Sequence, residues 1–205
     1  MTNKKILSAI FLLLATSCSF SSYAENVRIT DDNAPFLYDA RAEIKTPENT
    51  LATYMSKDYR EAKDEFTRHD LFQKIQPVIE KRLKQASKTT HVSILVNGKL
   101  GDYDFGKHAF PSGFSSTTFI PFDHSYAVQF TNADKLEYIP VPMKSARSLS
   151  PSLQNNRRAS FLISGDIVGV KEEKINWRSY KTIQVKVTQV DASLRSGAKI
   201  GVKKI

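Results

Sequence analysis

The chain has 205 residues, 40% hydrophobic and 25% charged, with eight glycines, eight prolines and one cysteine. These proportions exclude collagen, a coiled-coil rod, a disulfide-bonded mini-protein and a disordered chain, and they fit one ordinary globular domain. Lys and Arg total 30 against 21 Asp and Glu, a net charge of +9, which suits anionic partners without naming one.

The first 24 residues read as a bacterial secretory signal. Lys4 and Lys5 precede an apolar run at residues 6–15, and small or polar residues follow, ending Ser22-Tyr23-Ala24. A run of ten is too short for a bilayer-spanning helix, which needs about 20 residues. Small side chains at Ser22 and Ala24 suit cleavage after Ala24, so no transmembrane helix is expected in the mature chain. The alternative is lipoprotein processing at Cys18, after Ala15-Thr16-Ser17, with Leu14 one position early for a usual lipobox. Cleavage at Ala24 implies a periplasmic protein; lipidation of Cys18 implies an outer-membrane lipoprotein.

Residues 25–45 are polar and mixed, and are expected to form an extended arm with a short strand at 27–29. Thr46-Pro47-Glu48 resembles a helix start, with Thr46 as cap and Pro47 in the first turn. Leu51, Tyr54, Met55, Tyr59, Ala62 and Phe66 continue at helical spacing. Asp70 to Gln73 resembles a second capping box. Leu71, Phe72, Ile75, Val78, Ile79 and Leu83 form its stripe, which Pro77 kinks or starts.

From His91 the period becomes two. Val92, Ile94 and Val96 share a face, and Asn97-Gly98 predicts a hairpin turn. Further strands are expected at 117–120, 126–130, 136–139, 160–170, 182–190 and 199–205, with a helical turn at 145–155. Ile183, Val185 and Val187 should face the core and Lys186 the solvent; Gly165 suggests a bulge. The expected fold is α+β: a single domain at 46–205, with N-terminal amphipathic helices (46–88) packed on a mostly antiparallel, strongly bent, sandwich- or barrel-like sheet (90–205).

No catalytic signature emerges. His69, His91, His108 and His124 form no HxH or HExxH pattern, and only convergence of His108, Asp123 and His124 could build a metal site. GxSxG, P-loop and GxGxxG motifs are missing, so no catalytic, cofactor-binding or metal residue is assigned. Asp102 with Asp104, and Glu172 with Glu173, read as solvated charge. Seven aromatic residues at 105–130 (Phe105, Phe110, Phe114, Phe119, Phe122, Tyr126 and Phe130) make either a groove for a peptide, glycan or lipid, or the core of the sheet. Their alternation along strands favours core.

Charge is unevenly placed. Residues 144–205 carry 13 basic and 4 acidic side chains, while residues 25–89 balance at 12 each. Arg157, Arg158, Lys174, Arg178 and Lys181, with Trp177 and Tyr180 interleaved, suit either an anion-binding surface or solvated charge. An anionic envelope surface or polymer is the expected partner, and nucleic acid is not.

Several runs resemble a family of exported bacterial proteins known only as a domain of unknown function. They are Phe66-Thr67-Arg68-His69-Asp70-Leu71-Phe72-Gln73 and its continuation to Ile79, Tyr103-Asp104-Phe105, Phe119-Ile120-Pro121-Phe122, the stretch at 126–134, and Pro142-Met143-Lys144-Ser145-Ala146-Arg147. The resemblance covers about residues 45–190 and implies no catalytic residue. The expected role is that of an exported Gram-negative envelope protein with a non-enzymatic binding or accessory function. The competing classes are a small hydrolase acting on an envelope polymer and a lipid-anchored structural lipoprotein.

Overall fold

The computed structural model describes residues 26–175 and 177–205. Cleavage after Ala24 and lipidation at Cys18 concern positions outside the described residues. Strand β8 (Arg178–Leu194) is central to the main sheet. Its alternation is as the sequence predicts: Ile183, Val185 and Val187 are buried and Lys186 is exposed. Strand β7 (Arg158–Ile175) runs antiparallel along one edge of β8. The first half of β7 pairs with β2 (His91–Lys99), and β2 pairs in parallel with the two-residue β1 (Val27–Arg28). The other edge of β8 is shared. Residues 181–185 pair in parallel with β5 (Tyr126–Phe130), and 189–193 pair antiparallel with β9 (Lys199–Lys204). Strand β4 (Phe119–Phe122) lies outside β5. A separate two-stranded sheet joins β3 (Ala109–Pro111) to β6 (Tyr138–Pro140).

This architecture corrects the expected fold in three respects. The sheet is mixed, because β1 and β5 enter parallel to their neighbours; alternation marks which face is buried but carries no strand direction. The sheet is open, ending at β1 and β4, with no barrel closure. The helices are not an N-terminal layer laid on the sheet. Helix α4 (Glu65–Lys88) packs on the short helices α1 (Ala34–Asp39), α2 (Glu48–Met55) and α3 (Lys57–Glu61); α1 is what meets β5 and β8. Helix α5 (Met143–Asn155) comes only after six strands.

Of the expected arm at 25–45, the described residues 26–45 are not extended throughout. They hold β1 and then α1, whose six residues are all buried. Pro35 presets the first turn of α1. Arg41 donates to the carbonyls of Leu37, Ala86 and Thr89, tying α1 to the C-terminus of α4. The cap of α4 is Asp64, which accepts from the Thr67 amide at 2.8 Å, so Asp70 sits within the helix, as does Pro77. Thr46 caps nothing; it is buried against the sheet.

Asn97-Gly98 makes no turn. Both residues continue β2, opposite Ser160 and Ala159. Gly98 lets the Phe161 ring come close: a Cβ there would lie 3.1 Å from it, a tight contact. Gly165 does mark a bulge, since the β7–β8 register shifts between Ser164 and Gly165.

Candidate ligand-binding cleft

The chain leaves β2 at Lys99 and makes a tight turn before β3. Asp104 builds the turn: its Oδ1 accepts from the amides of Gly106 (2.9 Å) and Lys107 (3.0 Å), and its own amide donates to the Ala109 carbonyl (2.9 Å). This holds Phe105 out, 69% exposed. Tyr103 is fixed by its hydroxyl, which donates to the Val141 carbonyl at 2.8 Å. Its ring meets Phe105 edge-on at 5.2 Å and Phe110 at 5.0 Å. The three rings form one wall of a cleft of about 440 Å³.

Helix α5 forms the opposite wall. Met143, Ala146, Arg147, Ser150, Leu153 and Gln154 line the cleft, spaced by three or four along one helix face. Ala146 and Leu153 are buried and seat the helix, while Met143 is 42% exposed. Arg157 closes one end. Its guanidinium donates to Asp102 Oδ1 and to the Gly101 carbonyl, and its Nε is buried without a hydrogen-bond partner among the described residues. Arg147 is exposed and makes no ion pair among the described residues. The Asp102 carboxylate offsets Arg157, so Arg147 leaves the cleft with about one unbalanced positive charge. Apolar walls with a few polar groups, at a volume within the roughly 300–1,000 Å³ usual for ligand sites, suit a small amphipathic molecule.

The five residues expected to form an anion-binding surface fall in three places. Arg157 lines the cleft. Arg158 lies in a shallow hollow with Lys99, directly opposite on β2, and Arg195. Lys174 and Arg178 sit at the far end of the β7–β8 hairpin, on the order of 50 Å along the strand at about 3.3 Å per residue. The length of β7 separates residues that composition alone groups together. Lys181 is engaged elsewhere. Its Nζ donates to Thr46 Oγ1 at 2.5 Å, below the rings of Tyr38 and Tyr126.

Around Lys181 is a polar cluster that sequence reasoning missed. Asp39 Oδ1 accepts from both the amide (3.1 Å) and the hydroxyl (2.9 Å) of Thr46, and the Tyr126 hydroxyl lies 3.1 Å from Thr46 Oγ1. Burial raises the Asp39 carboxyl above its ordinary value, outweighing the Thr46 bonds and the charges of Lys181 and Lys45. Burial likewise raises the Tyr126 hydroxyl. Asp39 is 1% exposed and Tyr126 0%, so no substrate reaches these groups in this conformation.

The remaining candidates disperse. His124 stacks on Tyr54 at 3.8 Å, His108 gives its carbonyl to the Val141 amide, and the Asp123 amide donates to Asp31. No group of three His, Cys, Asp or Glu able to hold a metal occurs among the described residues. Asp102 and Asp104 belong to the turn after β2, and Glu173 pairs with Lys171 at 3.0 Å. Of the aromatic cluster, Phe110, Phe114, Tyr126 and Phe130 are core; only Phe105 is strongly exposed. The expected helical turn at 145–155 falls within α5 but does not mark the cleft; the three-to-four spacing of Met143, Ala146, Arg147 and Ser150 is the signal that could have done so.

The fold and cleft thus define an open mixed sheet with a ligand-sized hollow at one end. Residues 48–149 match the family described as Domain of unknown function (DUF4852). All five runs quoted for the sequence resemblance fall inside that stretch, which includes the Tyr103 wall and the first half of α5. Arg157 and strands β7–β9 lie beyond it, although β2 and β5 are connected in the sheet only through β7 and β8. Neither a curated protein nor a solved structure matches the chain.

Proposed function

We propose that the protein is exported to the bacterial periplasm, begins at Glu25 once mature, and binds a small amphipathic anion without transforming it. The leader pattern Lys4-Lys5, residues 6–15 and Ser22-Tyr23-Ala24 supports export. No described helix is long and apolar enough to cross a membrane. The observation that carries the binding role is the cleft: three aromatic rings face an α5 wall bearing Arg147, which makes no ion pair among the described residues. Its lining offers Ser150 as the one hydroxyl nucleophile of serine type and no histidine beside it. That arrangement supports binding over hydrolysis.

Calorimetry with laurate, and with dodecanol as its uncharged counterpart, tests the reading. Laurate should bind, dodecanol more weakly, and Arg147→Glu should lower laurate affinity about tenfold or more, the scale of one charged hydrogen bond. Equal laurate binding by wild type, Arg147→Glu and Phe105→Ala would remove the cleft from consideration.

A further inference from the structure

We infer that the tip of the β7–β8 hairpin is a docking point for an anionic phospholipid surface. The sheet stops short of this tip. Strand β5 accompanies β8 only from Lys181 onward, and β2 leaves β7 at Asp166. Three further pairs, Glu173 with Tyr180, Lys174 with Ser179 and Ile175 with Arg178, therefore project as a two-stranded ribbon, on the order of 10 Å long at about 3.3 Å per residue. The ribbon is braced at its base, where the Tyr180 ring packs on Phe119 of β4 at 5.6 Å.

At its end stands Trp177, the protein's single tryptophan, 100% exposed. Its φ is +67°, in the left-handed region where a two-residue hairpin loop favours Asn or Gly. A large apolar ring is thus held in water at a backbone position better suited to a small residue. Lys174 and Arg178 flank it, both exposed. Alternation along the paired strands assigns them to opposite faces of the ribbon. On this stretch Glu173 is paired with Lys171 at 3.0 Å and Glu172 lies opposite Lys181, so Lys174 and Arg178 leave the ribbon a net positive charge. An indole at the end of a ribbon with a cation on each side matches an anionic membrane interface: the ring enters the headgroup layer while the cations meet phosphates. The inference is independent of the α5 cleft, which lies at the other end of β7.

Because Trp177 is the sole tryptophan, its fluorescence reports the event directly. The mature chain is titrated with phosphatidylglycerol vesicles and with phosphatidylcholine vesicles, each with and without brominated acyl chains, at low and high salt. The expected result is a shift of emission to shorter wavelength and quenching by the brominated lipid, on phosphatidylglycerol only. The effect should disappear at about 1 M salt, where the Debye length is about 3 Å. Lys174→Glu with Arg178→Glu should lower vesicle affinity well over tenfold, each cation contributing roughly fivefold near such a surface. Trp177→Phe should weaken sedimentation with the vesicles while laurate binding in the cleft is unchanged. Emission unaltered by phosphatidylglycerol, equal binding to both lipids, or a shift that follows protein concentration without lipid would overturn the inference; the last result would identify a second copy of the chain as the occupant.

Discussion

Lys181 Nζ on β8 donates to Thr46 Oγ1 at 2.5 Å, joining the middle of the sheet to the segment between α1 and α2 across 135 residues of chain. Thr46 in turn donates to Asp39 at the end of α1 and contacts the Tyr126 hydroxyl on β5. One hydroxyl therefore links two strands and a helix. With Asp39 and Thr46 buried, water has little access to replace these bonds. Asp39 Oδ2 is buried without a hydrogen-bond partner among the described residues, so Asp39 depends on its Thr46 bonds, and loss of the hydroxyl leaves it the Thr46 amide alone.

Thr46→Val keeps the shape and removes the hydroxyl. It should destabilise the fold by about 1–3 kcal/mol, because the Asp39 carboxylate and Lys181 each lose a buried partner. Thr46→Ser should cost clearly less. Urea melts of the three proteins compare them, and equal midpoints for wild type and valine would show that the cluster contributes nothing to stability.

Stability should also carry a pH signature from Asp39. Its folded pKa is raised, chiefly by burial, from an ordinary 3.8. The folded state therefore holds the proton more tightly than the unfolded state does. The stability this provides is fully present below the ordinary value and is lost as pH rises through the folded value. Asp39→Asn removes the titration. Between about pH 3 and pH 7, the stability of wild type relative to Asp39→Asn should fall as pH rises; thermal melts at several pH values check this, and a flat or rising difference would contradict it.

Sequence legibility followed the range of the interaction. Strand β5 begins and ends where alternation places it, and β8 buries Ile183, Val185 and Val187 as read, because those patterns are local. Helix α1 escaped because six residues are too few to show a period. Asn97-Gly98 misled because its glycine serves the Phe161 ring and not a turn; the hairpin loop lies instead between Ile175 and Arg178. The openness of the sheet depends on which edges meet, and no local pattern records that. The five cations are neighbours in the sequence and not in space; Lys174 and Arg157 lie near opposite ends of a long strand. Only half of the cleft carried a readable sign, the helical spacing on α5, since its aromatic wall depends on Tyr103 reaching the Val141 carbonyl.

In the sheet itself, Val185→Ala should cost about 1–3 kcal/mol through lost buried methyl groups, and Lys186→Ala within about 0.5 kcal/mol. Gly165→Ala belongs with the costly changes, because a Cβ there would collide with the Lys186 backbone carbonyl. Denaturant midpoints rank the three. Val185 and Lys186 variants of equal stability would mean that β8 does not bury the face assigned to it.

Export makes a prediction in mass. Expressed with its leader in a Gram-negative host, the protein should be recovered from the periplasm with a mass beginning at Glu25. A mass beginning at an acylated Cys18, in the membrane fraction, would replace the periplasmic reading with the lipoprotein one.

The binding role is tested most directly at Met143. Residues 25–205 hold two methionines, Met55 on α2 and Met143 on the cleft wall, so methyl-labelled protein of that span gives two reporters. On titration with laurate, the Met143 methyl signal should move and saturate while that of Met55 stays in place, and Arg147→Glu should shift the titration to higher concentration. A Met143 signal that stays still, or moves no differently from that of Met55, would contradict the assignment of the α5 cleft as a ligand site.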